Sequence, residues 1–267
     1  MKYPGSKWSI ADWIISYFPQ HHSYLEPFFG SGAVLFNKQR SNIETVNDLD
    51  GNVVNLFEWI RKDPERLSRE IYYTPYARQI YDSAFETVPE DSFDRAVNFY
   101  IRLNMGHGFR TSGEKVGWKN DVQGRERAYA SQDWCNLPNK IMLAAERLRG
   151  VQIENMPAAE LIKRFNHPNV LIYADPPYVL STRHGKQYRC EMDNKAQTEL
   201  LDVLHAHKGP VLISGYDSDL YNDSLRDWYR VETDCYSQIA SKKREVLWMN
   251  FAPAGQMSIK DFLEVRP

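Results

Sequence analysis

Nine residues, Val170-Leu171-Ile172-Tyr173-Ala174-Asp175-Pro176-Pro177-Tyr178, constrain this chain more than any other stretch. Five mostly apolar, strand-favouring residues lead into a carboxylate, two prolines and an aromatic, which reads as a buried strand ending abruptly at a chemical site. Pro176 and Pro177 fix their own φ angles, carry no N–H, and hold Asp175 and Pro176 away from helical conformation. Carbonyl oxygens of the turn are left to accept hydrogen bonds from something else. An acid beside a rigid, acceptor-rich turn suits a substrate with two N–H donors, such as an exocyclic amino group. Tyr178 offers a face to the ring that bears the amine. The competing reading is a strand that ends in a proline-rich turn with Asp175 as turn former. Context decides between them.

At 267 residues the chain is either one large domain or a core with an inserted second unit. Its net charge of −2 excludes a protein coated with positive charge, so any nucleic-acid contact comes from local patches. Cys135, Cys190 and Cys235 lie far apart without metal-ligand spacing. They read as core or incidental thiols in a reducing compartment, and no metal is expected. No signal-like start and no apolar run near the length of a membrane span is present, which predicts a cytoplasmic protein with no membrane partner.

Lys2-Tyr3-Pro4-Gly5-Ser6-Lys7 forms a short turn that would bring a cation and a ring to a ligand, ahead of an amphipathic stretch from Trp8 to Phe18 that reads as helix. Tyr24 to Phe29 reads as a strand, followed by Gly30-Ser31-Gly32 and a helix from Ala33 to about Gln39. Strand, glycine turn and helix make the first unit of a doubly wound sheet, in which ligands sit beyond the carboxyl ends of strands. Leu35 occupies the third glycine position of the dinucleotide fingerprint, so a cofactor without a pyrophosphate is expected. The strand Glu44 to Val46 ends in Asn47-Asp48-Leu49-Asp50, before a helix from Asn52 to Ile60. Asp48 suits the ribose hydroxyls of a nucleotide-like ligand, or helix capping, which Asp50 serves equally well.

From Asp63 to about Gly150 the character changes. Glu65 to Tyr73, Pro75 to Glu86 and Asp91 to Met105 read as helices, and residues 106 to 131 as a long glycine-rich loop region. Residues 102 to 149 hold nine Lys and Arg against five Asp and Glu. With Phe109, Trp118 and Tyr129 interleaved, this segment suits DNA backbone and base contacts, against the alternative of a solvated charged face.

The alternation then resumes with strand Val151 to Glu154, helix Ala158 to Phe165, the strand before Asp175, helix Lys195 to His207 and strand Val211 to Ser214. Asn155 and Met156 sit at a strand's carboxyl end, where a cofactor ring would be held. Arg183, His184, Lys186 and Arg189 lie beyond the Asp175 turn as a lid or phosphate-contacting loop. Tyr229 to Ser237 and Val246 to Phe251, joined by Ser241-Lys242-Lys243-Arg244, read as a closing hairpin.

Four blocks in order, Lys2 to Lys7, Glu26-Pro27-Phe28-Phe29-Gly30-Ser31-Gly32, Asn47-Asp48 and Asp175-Pro176-Pro177-Tyr178, resemble the Dam-type, or D12, class of DNA adenine-N6 methyltransferases over nearly the whole chain. The resemblance implies an α/β fold: a Rossmann-like methyltransferase sheet with helices on both faces and a terminal antiparallel hairpin. Residues 1–62 and 151–267 would form the catalytic domain, and 63–150 an inserted, mainly helical target-recognition domain. S-adenosylmethionine would be the donor. Tyr3, Lys7, Phe28, Gly30, Gly32, Asp48, Asn155, Met156 and Asp175 would form its site, with Asp175, Pro176, Pro177 and Tyr178 catalytic. Double-stranded DNA is the implied partner, many enzymes of the class act on it as monomers while the oligomeric state of this chain stays open, and a separate restriction endonuclease is a further partner the class allows.

The implied chemistry is direct transfer to adenine N6, with Asp175 and the Pro176 carbonyl accepting the two amine N–H bonds of a flipped-out base. The rivals are cytosine-N4 methylation, which also targets an exocyclic amine, and a non-catalytic DNA-binding protein on the same fold. A nicotinamide dehydrogenase is disfavoured by the missing glycine.

Overall fold

A computed structural model describes residues 3–108, 110–120, 129–183, 185–236 and 242–253. Seven strands, β1 (Ser23–Glu26), β2 (Ile43–Asn47), β3 (Gln152–Glu154), β4 (Val170–Ala174), β5 (Val211–Gly215), β6 (Tyr229–Tyr236) and β7 (Lys242–Met249), form one sheet. Their order is β3-β2-β1-β4-β5-β7-β6. The first five run parallel, and β7 is antiparallel to both β5 and β6. The Rossmann-like sheet and its closing hairpin are therefore as expected.

Both faces of this sheet are covered. On β4, Leu171 and Tyr173 enter one core while Val170, Ile172 and Ala174 enter the other, following the two-residue period of a strand. Leu212 and Leu247 share the first core; Val211, Ile213, Val246 and Trp248 share the second. A strand buried on both sides reads as an unbroken apolar run, which explains the stretch before Asp175.

Several boundaries differ from expectation. Pro27 ends β1 at Glu26, short of Phe29. The stretch Trp8 to Phe18 is helical only over Ala11–Ile15, between turns. Ala77 is extended, so the helix expected from Pro75 begins at Arg78. Strand β7 starts at Lys242, so Lys242, Lys243 and Arg244 belong to the strand and not to the hairpin turn; Ser237 and Ser241 lie outside the described residues.

The helices Pro64–Tyr73, Arg78–Glu86, Ser92–Met105, Ala130–Cys135 and Leu137–Leu148 share the first core with the helix Gly51–Lys62 and with the sheet. Asp50, Asp63 and Asp91 cap the helices that follow them. A buried charge cluster fastens this helical region to the sheet. Glu44 on β2 takes Arg147 Nη1 and Nη2 at 2.6 and 2.8 Å and also accepts from Lys38 Nζ. Burial alone would raise the Glu44 carboxyl, but these donors outweigh it and hold it at about 2. Arg40 adds bonds to the Glu146 and Arg149 carbonyls.

Part of the basic excess is thus turned inward. Arg147 belongs to the Glu44 cluster, and Arg102 is partly buried in the field of Asp50. Arg110 and Lys115 pair with Glu114 and Asp82 at the surface. Phe109, Arg125 and Arg127 lie outside the described residues. Among the described residues no helix is long and apolar enough to cross a membrane.

Candidate active site

Strands β1 and β4 are neighbours whose chains leave the sheet's centre toward opposite edges, so their carboxyl ends flank the switch point where ligands bind in such sheets. Asp175 follows β4 directly. Its Oδ1 accepts from Lys7 Nζ at 2.9 Å and from Ser214 Oγ at 2.9 Å, and Ser214 Oγ lies 3.1 Å from the Tyr173 hydroxyl. Both donors converge on one oxygen. Among the described residues Oδ2 takes no hydrogen bond.

The turn's carbonyls are less free than the sequence suggests. Gln197 Nε2, fully buried on the helix Asn194–His205, donates to the Pro177 carbonyl at 2.6 Å, and Arg183 Nε donates to that of Tyr178 at 2.8 Å. No described residue donates to the Pro176 carbonyl. Asp175 Oδ2 and the Pro176 carbonyl are therefore acceptors at the turn that no described residue fills.

Lys7 is buried and reaches three oxygens: Asp175 Oδ1, the Gly5 carbonyl at 2.8 Å, and Glu245 Oε1 at 3.6 Å. Burial would lower its ammonium, yet the Asp175 and Glu245 carboxylates override this and hold it well above the ordinary lysine value. Its Nζ stands 4.8 Å from the centroid of the Tyr178 ring. Tyr178 is itself buried, donates its hydroxyl to Glu245 and meets Tyr216 edge-on.

Beyond β1 the chain makes a glycine turn. Gly30 and Gly32 have φ of +47° and +68°, and a Cβ would stand 2.9 Å from the Tyr3 ring at the first and 2.5 Å from Phe36 at the second. Gly30 N donates to Asp48 Oδ2 at 2.8 Å and Asp50 N to Oδ1 at 2.9 Å. Burial pushes the Asp48 carboxyl up to about 6 against these donors. Asp50, accepting from Asn52 N, is the helix cap. Asn47 braces the edge: its Nδ2 donates to the Pro27 and Met156 carbonyls, and its Oδ1 accepts from Met156 N. Asn155 Nδ2 donates to the Asp48 carbonyl at 2.7 Å.

These parts surround a narrow cleft, walled among others by Tyr3, Lys7, Phe28, Gly30, Tyr188 and Asp175. Asp48 touches it through Gly30, with Asn155 and Met156 behind on the β2–β3 side. Tyr178 lies behind Lys7. Glu26 is another wall residue, raised to about 8 by burial. Ser214, Gln197, Tyr188 and Glu245 are the members that sequence reasoning missed. Of the loop cations beyond Tyr178, Arg183 is spent within the loop on Glu191, Arg189 reaches Asp50 at 3.5 Å, Lys186 is exposed, and His184 lies outside the described residues.

The family model of the D12 class N6 adenine-specific DNA methyltransferases matches residues 3–243. The chain is 25% identical to the DNA adenine methylase of Salmonella typhi over 245 residues, covering 86% of this chain and 84% of that one. It is 24% identical to the DNA adenine methylase of Escherichia coli strain K12 over 244 residues, 86% and 83% of the two chains. With the modification methylase StsI of Streptococcus sanguinis it shares 20% identity over 251 residues, 85% of this chain and 37% of the other. That family model spans residues 3–243 of the 267, and the chain belongs to the D12 class of N6 adenine-specific DNA methyltransferases.

Proposed function

We propose that S-adenosylmethionine is the methyl donor for the class reaction, methylation of adenine N6 in DNA, and that the residues around Asp175 perform it. The observation that carries this reading is the pair of open acceptors, Asp175 Oδ2 and Pro176 O, matched to the two N–H bonds of an exocyclic amine. Gly30 and Gly32 let the turn after β1 pack closely on Tyr3, Phe29 and Phe36 in a conformation other residues adopt only under strain, and Asp48 at that turn would offer a carboxylate to ribose hydroxyls. Phe28 and the glycine turn would hold the methionine part, with Tyr3 and Lys7 contacting the same ligand and Asn155 and Met156 on the ring side.

S-adenosylmethionine supplies an electrophilic methyl group on a sulfonium. Adenine N6 is a poor nucleophile because its lone pair is delocalised into the ring. Asp175 Oδ2 and Pro176 O favour the tetrahedral, cationic nitrogen that develops, and Asp175 is placed to take its proton. Lys7 and Ser214 hold Oδ1, so the carboxylate does not have to reorganise during transfer. An adenine within a duplex cannot reach this turn and must flip out, with Tyr178 and Tyr216 providing the aromatic surface beside it. The helical region from 63 to 150 serves as the target-recognition domain, and the protein acts where DNA is held, in the cytoplasm.

Incubation with labelled S-adenosylmethionine and unmethylated duplex DNA, followed by nucleoside analysis, should give N6-methyladenine in a short fixed context. N4-methylcytosine as the product would refute the assignment of the acceptor pair to adenine.

Asp48 gives the reaction a pH dependence. Ribose hydroxyls need an ionised acceptor, and the carboxyl titrates at about 6 in the free protein. Donor affinity should therefore fall as the pH drops through about 6, approaching tenfold per pH unit. Stability runs the other way. A folded value raised above the ordinary 3.8 means that the free protein gains stability at this residue as the pH falls from about 6 toward 4. Calorimetric titration across pH 5 to 8 checks this, and Asp48→Asn should flatten the profile.

A further inference from the structure

Two buried carboxylates at this site, Glu26 and Glu245, have no task in the proposed reaction, and Glu245 is the one paired with Lys7. Glu245 stands on β7, past residue 243 where the family match ends, and is 2% exposed. Val246 faces the second core and Leu247 the first, so the alternation of the strand turns Glu245 with Leu247 toward the side of Tyr173 and Lys7. Its Oε1 is 3.6 Å from Lys7 Nζ and accepts from the Tyr178 hydroxyl; its Oε2 is 3.8 Å from Cys235 Sγ. Glu245 is not part of the cleft wall. Whatever it does to the reaction passes through Lys7 and Tyr178.

Counting charges shows what that is. The transfer starts from a sulfonium cation and moves positive charge onto a nitrogen, so the site must favour a cation. Asp175 cannot do this alone, because the Lys7 ammonium at 2.9 Å cancels its charge. A second carboxylate on the same ammonium returns the group of three to a net −1. Burial and the Asp175 carboxylate push the Glu245 carboxyl up, and the Lys7 ammonium and the Tyr178 hydroxyl oppose this by favouring its charged form, without fully offsetting it.

We propose that Glu245 is a positioning residue for methyl transfer: by engaging Lys7 and Tyr178 it keeps a net negative charge behind Asp175, and so makes the cleft prefer a sulfonium ligand over a neutral one. This rests on S-adenosylmethionine being the donor.

The test is calorimetric binding of S-adenosylmethionine and of S-adenosylhomocysteine, which lacks the methyl group and the sulfonium charge, to the full chain. In E245Q the preference for the sulfonium should fall about tenfold, the scale of one charge removed from a partly screened site. In the double variant K7M/E245Q, Asp175 is the one charge left of the three. Its net −1 equals that of the wild type, so the preference should return to the wild-type value although transfer is slow. A purely structural role for Glu245 moves both affinities together. An unchanged preference in folded E245Q, or a double variant whose preference has dropped as far as that of E245Q, overturns the proposal. If E245Q does not fold, the double variant, with fewer buried charges to satisfy, decides alone: a retained preference supports the proposal and a lost one refutes it. Wild-type protein that binds neither ligand is a distinct result, which overturns the donor assignment and the role of Glu245 with it.

Discussion

Replacing Asp175 by asparagine lowers kcat for methyl transfer on the order of 10³-fold, the scale of losing a charged group that both stabilises developing charge and accepts a proton. The geometry makes the loss specific to the reaction. Asparagine keeps the size of the side chain, and its carbonyl oxygen can still accept from Lys7 Nζ and Ser214 Oγ in place of Oδ1. The atom that changes is the one facing away from them. An acceptor becomes an NH₂ donor, which repels the N–H it should hold. Donor and duplex DNA should therefore bind within a few-fold of wild type while single-turnover transfer collapses. Retention of more than a tenth of the wild-type rate would exclude Asp175 as the group that receives the amine.

The second large effect is on stability and lies at the amino-terminal end of β2. Arg147→Ala should destabilise the protein by about 3 kcal/mol and lower its Tm by roughly 10 °C, because removing one partner of a buried pair leaves the other uncompensated. Glu44 is 3% exposed and would retain Lys38 but lose two bonds of 2.6 and 2.8 Å. Linkage gives a second signature. The folded Glu44 carboxyl, held at about 2, lies below its ordinary value of 4.5, so its contribution is complete above about pH 4.5 and is lost as the pH falls toward 2. In the variant that acid-dependent loss should shrink. Thermal melts of both proteins at pH 7 and pH 4 measure the two effects, and equal melting temperatures at pH 7 would show that the cluster does not fasten the helices to the sheet.

What the sequence disclosed and what it hid divide along physical lines. Strand β4 and its turn were readable because a doubly buried strand is apolar at every position, and Pro-Pro has few meanings. The glycine turn was readable because Gly30 and Gly32 mark backbone that other residues adopt only under strain. Ser214, Gln197 and Glu245 were not. Each is a polar residue whose role depends on a partner far away in the chain, and a serine after an apolar strand or a glutamine in an amphipathic helix carries no local signal. Glu245 was further disguised by Lys242-Lys243-Arg244, which read as a cationic turn; once β7 is seen to begin at Lys242, the strand's alternation sends Arg244 out and Glu245 in. The same blindness to partners overstated the basic surface, since nothing in the sequence tells Arg147 on its buried carboxylate from a cation free to meet phosphate.

Lys7 and Glu245 meet although nearly the whole chain separates them. A contact between positions so distant in sequence closes a long loop and is of the long-range kind that forms late in folding. A polypeptide cut before β7 would keep all four blocks that carry the family resemblance and lose the Lys7–Glu245 contact.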